Sequence, residues 1–482
     1  MSPNYRFNDL REWLDVVESW GELRHVQGAD PHLEVGGIAE LNAKRKMAPA
    51  LLFDQIKGYP PGNRLLTGSL LTPSRVSLTL RLPVVKTNDA LVELLRGKML
   101  EWESRHEAFP RELVTTGPIH ENVLTENNVD LLQFPAPFWH EKDGGRYLGT
   151  AGAVVTKDPE TDHLNVGTYR VMLHDRDTVG IHIVPGKHGR THLEKYHKQN
   201  KPCPVAISLG HDPLLFLLAG LEVPAGICEY NLAGAILGER VKVVEAPVTG
   251  LPVPASSEVV IEGYSPPDFF MNEGPFGEWT GYYAGGVSRD PVIQVKGVMF
   301  RKDPIIVGSP PGKPPHDFSY WKCVLRSASL HDALVKAGIP EVKGVWAHEV
   351  GGSRLFIAVS IRQRYLGHAR QAAFVASQCH TGAYLGRYVV VVDEDIDPSD
   401  LQEVMWAVCT RSDPAADIDI IRRAWSSEAD PLVRKGTPPC NSRAIIDACR
   451  PYEWLDEFPP VAESSPELLR RIRAKWAETL EK

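Results

Sequence analysis

Two glutamates flank a Gly-Pro-Phe-Gly turn in the stretch Glu273-Gly274-Pro275-Phe276-Gly277-Glu278. Glycine and proline confine the backbone to geometries that other residues resist, so such a turn can hold two acids at a defined separation. Paired carboxylates in unlike environments are how a site keeps one acid ionised and the other protonated near neutral pH. The same six residues also fit a solvated acidic turn. A cation that could face them stands at the end of Asn165-Val166-Gly167-Thr168-Tyr169-Arg170. Arg170 lies in a run otherwise made of Val, Tyr, Met and Leu, where an inward guanidinium needs a partner. Its planar fork matches a carboxylate with two parallel hydrogen bonds, from either an acidic substrate or one of the glutamates. An outward Arg on a half-exposed sheet is the alternative.

Two further stretches could hold a ligand. Pro185 to His192 is a glycine-punctuated loop carrying Lys187, His188, Arg190 and His192. Backbone N–H groups and cations of this kind hold phosphate, and His188 can equally ligate a metal; a polar surface loop has the same composition. Glu229, in Cys228-Glu229-Tyr230-Asn231, is a lone acid after an apolar stretch and by itself reads as structural. Spacing excludes other signals. Gly308 to Lys313 (GSPPGK) has one residue too few between its glycines for a Walker loop, and Pro314 stands where Ser or Thr is required. Gly145, Gly149 and Gly152 miss the dinucleotide spacing, and neither HExxH nor GxSxG occurs.

The elements that must position these groups change character twice along the chain. Asn8 as N-cap, with Leu10, Trp13, Leu14, Val17 and Trp20 at helical spacing, predicts an opening helix stopped by Gly21. Residues 1–115 then alternate short helices and strands, the pattern of an α/β domain. From 116 to 315, strands are predicted at 151–156, 165–173, 178–184, 241–244 and 258–262, with short turns and few helices, which points to a β-barrel or sandwich. Residues 316–482 return to α/β. Arg387 to Val392 is a continuous apolar strand, as expected when both faces are covered. A helix follows Asp397-Pro398-Ser399-Asp400. A closing helix begins at Ser465 and carries a stripe of Leu468, Leu469, Ile472, Trp476 and Leu480, suited to its own domain or to a second subunit. The whole reads as an α+β multidomain chain.

A length of 482 residues exceeds what one core usually serves, and 43% hydrophobic with 24% charged residues is a globular composition. Acidic residues outnumber Lys and Arg 61 to 53, which disfavours nucleic acid as a partner. No apolar run approaches the roughly 18 residues that span a bilayer, and the opening MSPNYRFNDL lacks the form of a signal peptide. A cytoplasmic protein without membrane contact is expected. The seven cysteines form no CxxC pair, so neither a disulfide framework nor a thiolate zinc site is expected.

Taken in order, NVGTYR (165–170), GKHGR (186–190), SLGHDP (208–213), CEYNLAGAILG (228–238), LPVPASSEVVIEGY (251–264) and EGPFGEWTGYY (273–283) resemble the UbiD decarboxylases. YLGHAR (365–370), VVVVDEDID (389–397) and TRSDP (410–414) extend the resemblance, which covers nearly the whole chain and is weakest in the first hundred residues. It implies an N-terminal α/β domain, a central split β-barrel that binds flavin, and a C-terminal α/β domain supporting a homodimer or homohexamer. The implied cofactor is prenylated FMN, supplied by a flavin prenyltransferase and bound through Mn²⁺ (or Mg²⁺) with K⁺ nearby. By motif, Asn165, His188 and Glu229 would ligate the divalent metal, two oxygens and one imidazole being a suitable donor set. Gly167, Thr168, Tyr169, Arg170 and Lys187 would lie along the cofactor, and the segments near His163 and at Ala219, Gly220 and Leu221 match the K⁺ region.

The implied activity is reversible, non-oxidative decarboxylation of an aromatic, heteroaromatic or α,β-unsaturated carboxylic acid. Arg170, held by Glu273, would orient the substrate carboxylate. The prenylated flavin would serve as electron sink, and protonated Glu278 would give its proton to the carbon that lost CO₂. A carboxylase running in reverse, alone or as a subunit of a complex, and a non-catalytic flavin-binding assembly factor are the alternatives. His316, His368, Arg370 and Arg443 are candidates for secondary contacts.

Overall fold

The structure is a computed structural model that describes residues 5–221, 223–224, 226–434 and 436–480, with the backbone alone at 478 and 480. The opening helix runs Leu10–Ser19 with Leu10, Trp13, Leu14 and Val17 buried, as the spacing predicts. Its cap is Asp9 rather than Asn8. Only a side chain three residues before Glu12 reaches that N–H (2.9 Å), and the Asn8 N–H turns instead to the Glu12 carboxylate (2.8 Å). Strands Leu23–Gln27, Ala50–Asp54 and Arg64–Thr67 form the first sheet. Its fourth strand, Ile305–Gly308, arrives from far downstream and pairs in parallel with Arg64–Thr67. Gly308 is glycine for a packing reason: an added Cβ would lie 2.5 Å from the Trp139 ring.

The central sheet has ten strands. Eight follow one path: Arg146–Gly149, Arg170–Leu173, Thr178–His182, Ser288–Phe300, Val259–Ser265, Cys203–Leu209, Ala153–Lys157 and Leu164–Gly167. Asn122–Thr125 and Phe270–Glu273 also pair with the long strand Ser288–Phe300. The single strand predicted over 165–173 is therefore two, and they lie near opposite ends of the path. Only Thr168 and Tyr169 join them. Three Cα steps of about 3.8 Å allow at most about 11 Å between Gly167 and Arg170, so the sheet must curl until its ends nearly meet. No ladder bond joins those ends among the described residues; the barrel is split, and NVGTYR is its seam. Tyr169 folds back over Gly167, where a Cβ would lie 2.5 Å from the ring, which breaks the strand and requires the glycine.

The central region is richer in helix than expected, with His188–Lys198, Pro213–Ala219 and Glu229–Leu237 inserted between strands. Pro213–Ala219 is buried at every position, so it carries no amphipathic period by which to recognise it.

The last sheet runs Val342–Ala347, Phe356–Ile361, Tyr388–Asp393, Cys440–Ala448 and Ile418–Trp425, parallel in the middle and antiparallel at both edges. Val389 and Val391 pack with Leu330, Ala369 and Ala373, while Val390 and Val392 pack with Val404 and Ala407. Alternate residues thus face helices on opposite sides, as the unbroken valine run predicts. The closing helix Pro466–Leu480 begins with the Leu468 N–H on Ser465 Oγ (3.2 Å). Its stripe is largely uncovered: Leu469 and Trp476 are about half exposed, at 52% and 50%, and the Leu480 side chain lies outside the described residues. Among the described residues no helix is long and apolar enough to cross a membrane.

Candidate functional site

Sheet register assembles the charged groups. Arg170 and His182 are direct cross-strand partners. The pairing of Thr178–His182 with Ser288–Phe300 sets Gly180 opposite Val292, and two further residues bring Asp290 opposite His182. Glu273 closes the row from the strand beside it, opposite Ser288. Directly opposed residues project to the same face, so Arg170, His182 and Asp290 stand in line.

Glu273 is fully buried and takes Arg170 in a two-pronged pair, Nε to Oε1 at 2.7 Å and Nη2 to Oε2 at 2.6 Å. The Tyr147 hydroxyl adds a bond to Oε1 at 2.8 Å. The Arg170 Nη1 donates to Glu278 Oε1 at 3.1 Å. Burial opposes the Arg170 charge, but Glu273 and Glu278 outweigh it and hold the guanidinium above its ordinary value. Burial lifts the Glu278 carboxyl above the ordinary carboxylate range, and Arg170 offsets part of that rise. Burial and the neighbouring Glu273 likewise raise the Tyr147 phenol, which stays a donor. Phe276 stacks on Tyr147 with ring centroids 4.0 Å apart and supplies an apolar wall. The turn between the two acids is seated on Gly144, whose N–H donates to Pro275 O at 2.7 Å; a Cβ there would lie 1.9 Å from the Gly274 carbonyl.

A second constellation lines the seam around the Tyr169 hydroxyl. The Tyr169 hydroxyl has Asn165 Nδ2 and Gly189 N each at 3.4 Å. Glu229 is buried and accepts the Val166 N–H at 2.8 Å. Burial pushes its carboxyl up to about 7, against which the backbone donors work. His188 opens its helix directly after Lys187, whose side chain makes no capping bond to that first turn. The His188 ring lies 6.4 Å from that of His163. His192, one turn on, is structural: it is buried, with Nδ1 3.0 Å from Thr156 Oγ1, and burial pushes it down to about 4. Thr168 donates its N–H to Ala219 O at 2.8 Å and its hydroxyl to Gly152 O at 3.1 Å. Gly220 lies under Trp321, where a Cβ would come within 2.8 Å, and the Leu221 N–H closes the turn on Leu218 O.

Of the secondary candidates, only His316 borders this region. It caps the helix Asp317–Lys336 through Nδ1 (3.3 Å from Ser319 N) and lines a cavity of about 440 Å³ with Gly277, Gly281, Tyr283 and Lys313. His368 is fully buried against Tyr365 in the last domain. Arg370 pairs with Asp419 and the Ala416 carbonyl. Arg443 binds the carbonyls of Ser377, Gly382, Ala383 and Trp425. None of these three faces the acids.

Sequence reasoning missed His182, Asp290 and Tyr147, because only strand register brings them to Glu273. The ligand atoms of His182, Glu273 and Asp290 lie within 4.8 Å of one another, as in a cation site. Arg170, with two nitrogens on Glu273, is a cation already in place.

Family models agree with this architecture. The 3-octaprenyl-4-hydroxybenzoate carboxy-lyase Rift-related domain matches residues 112–314, and the N-terminal and C-terminal domains of the same carboxy-lyase match 14–95 and 319–448. The chain belongs to the UbiD family. This UbiD protein is 34% identical over 426 residues to a pyrrole-2-carboxylic acid decarboxylase of Pseudomonas aeruginosa, covering 85% of this chain and 84% of the relative. It is 33% identical over 488 residues to a phenolic acid decarboxylase of Streptomyces sp. (strain D7), covering 99% and 98%. Among solved structures, the UbiD-class enzyme HmfF from Pelotomaculum thermopropionicum in complex with FMN superposes with a TM-score of 0.85 at 28% identity, over 97% of this chain and 100% of that one. An evolved dimeric form of HmfF in complex with prFMN gives 0.80 at 27%, over 96% and 98%. The UbiD chain is thus a carboxy-lyase of three-domain α+β architecture built round a curled half-barrel sheet.

Proposed function

We propose that this UbiD enzyme decarboxylates an aromatic or heteroaromatic acid, or a conjugated alkenoic one, with prenylated FMN seated in the barrel seam. The observation that carries the reading is Arg170 clamped between a fully buried Glu273 and a Glu278 lifted by burial. The relatives that act on pyrrole-2-carboxylic and phenolic acids, and the neighbours that hold FMN or prFMN, support it.

The seam suits a metal-bridged phosphate. Glu229 is a buried carboxylate that a cation would stabilise, Asn165 offers an amide oxygen, and His188 an imidazole: two oxygens and a nitrogen suit Mn²⁺ or Mg²⁺. The N–H groups of the helix opening after Lys187 suit the phosphate. Gly167, Thr168 and Tyr169 would run along the flavin. A K⁺ would sit by the Ala219–Leu221 turn that closes the helix Pro213–Ala219. When bound, the prenylated flavin supplies an electron sink for the decarboxylation. Arg170 receives the substrate carboxylate with Nη1, the nitrogen not engaged by Glu273, and Glu273 keeps the guanidinium from turning. Glu278 then protonates the carbon that has lost CO₂. The same groups serve carboxylation, so CO₂ concentration sets the direction. Coexpression with a flavin prenyltransferase, an absorbance spectrum and CO₂ release from a panel including pyrrole-2-carboxylate and vanillate test the reading. A loaded protein that releases CO₂ from none of them overturns it.

Glu278 must carry its proton to act as acid, and its carboxyl is raised. Turnover should therefore be flat at lower pH and fall as pH rises through that raised value. A kcat–pH profile with no alkaline limb would contradict this.

We further propose that two or six copies associate through the exposed closing helix. Light scattering should give a dimer or hexamer mass. Ile472→Glu with Leu469→Glu should lower it, since both side chains lie on the uncovered stripe. An unchanged mass would place the interface elsewhere.

A further inference from the structure

One charged pair of the site has no part in the reaction above. His182 stands directly across from Arg170 on the neighbouring strand, on the same face. Its Nδ1 has Asp290 Oδ2 at 2.5 Å and Glu273 Oε2 at 3.6 Å. Asp290 is in turn fixed by Ser288 Oγ at 3.0 Å. Burial raises the Asp290 carboxyl, but the bond from His182 outweighs burial and holds it below the ordinary carboxylate range. The Nδ1 proton therefore points at Asp290, and a ring gripped in this way has a fixed plane. The Glu273 carboxylate then has Arg170 on both oxygens, Tyr147 on one, and the His182 ring beside the other.

We propose that His182, held by Asp290, is a positioning residue for the decarboxylation: it closes the open side of Glu273 and so fixes the angle at which Arg170 meets the substrate carboxylate. The inference rests on the decarboxylase reading. The charged groups facing the ring are Arg170, Glu273, Asp290 and Glu278, each from a different strand or turn. His182 acts on Glu278 against burial, tending to lower its carboxyl. Removing His182 should therefore leave Glu278 protonated to higher pH.

His182→Gln and Asp290→Asn in the flavin-loaded enzyme test the proposal. KM should rise by about 10–100-fold, the size usual for a residue that orients another, with flavin occupancy and melting temperature unchanged. The alkaline limb of kcat should move to higher pH in His182→Gln. A merely structural lesion would lower the active fraction without moving either KM or the limb. The double variant should be no worse than the weaker single one, because both act through the same contact. Binding gives a readout without turnover. In protein loaded with unmodified FMN, calorimetry with pyrrole-2-carboxylate and vanillate should show Kd rising by the same factor as KM. Wild-type KM, limb and Kd in both variants, beside a wild-type enzyme that releases CO₂, overturn the inference and leave the decarboxylase reading standing. A loaded wild-type enzyme releasing no CO₂ overturns the reading itself. Should His182→Gln fail to fold, Asp290→Asn carries the test.

Discussion

Glu278→Gln should abolish measurable CO₂ release while leaving flavin occupancy close to wild type. The expected fall is at least about 10³-fold, within the range that general acids contribute. Glutamine has the same size and can still accept the Arg170 Nη1 bond now made to Glu278 Oε1 at 3.1 Å. What it lacks is a proton to give. The residues proposed to anchor the flavin through a metal, Asn165, His188 and Glu229, are other than the one that bonds this carboxyl. Turnover and the flavin spectrum should therefore separate cleanly in this variant, and wild-type-like CO₂ release would remove Glu278 from the mechanism.

His188→Ala is expected to do the opposite and strike the cofactor first. Alanine is at home in the first turn of the helix His188–Lys198, so the fold should survive. The imidazole would be lost from a set whose other members, Asn165 and Glu229, supply only oxygens. Metal affinity should fall by at least about 100-fold, and flavin anchored through that metal should be lost with it. Metal analysis and flavin absorbance of the purified variant check this directly. Full flavin retention would undo the metal-bridge assignment.

Much of the framework was legible because it is periodic. The valine run at 389–392 announced a strand covered on both faces, and Leu10, Trp13, Leu14 and Val17 announced a helix with one buried side. Where no period exists, legibility failed. The helix Pro213–Ala219 is buried all round, and the break at Thr168–Tyr169 shows itself only as a tyrosine lying over a glycine. At the site, Arg170, Glu273 and Glu278 were legible as chemistry and by resemblance, since charged residues in apolar or glycine-bounded settings need partners. His182 and Asp290 were not, because a histidine in a strand and an aspartate before a proline are unremarkable until register sets them opposite one another.

The amino-acid sequence alone determined which local segments are helix or strand, the kinds of reactive group present, and the family to which their ordered motifs belong. Those properties follow from side-chain periodicity and from short runs whose backbone choices are made within a few residues. Only the tertiary structure decided that Arg170 meets Glu273 across 103 positions and that Tyr147 and His182 border the same carboxylate. Those meetings depend on strand register and on a sheet curling back upon itself. Both are set by the packing of the whole chain, and no short segment carries them.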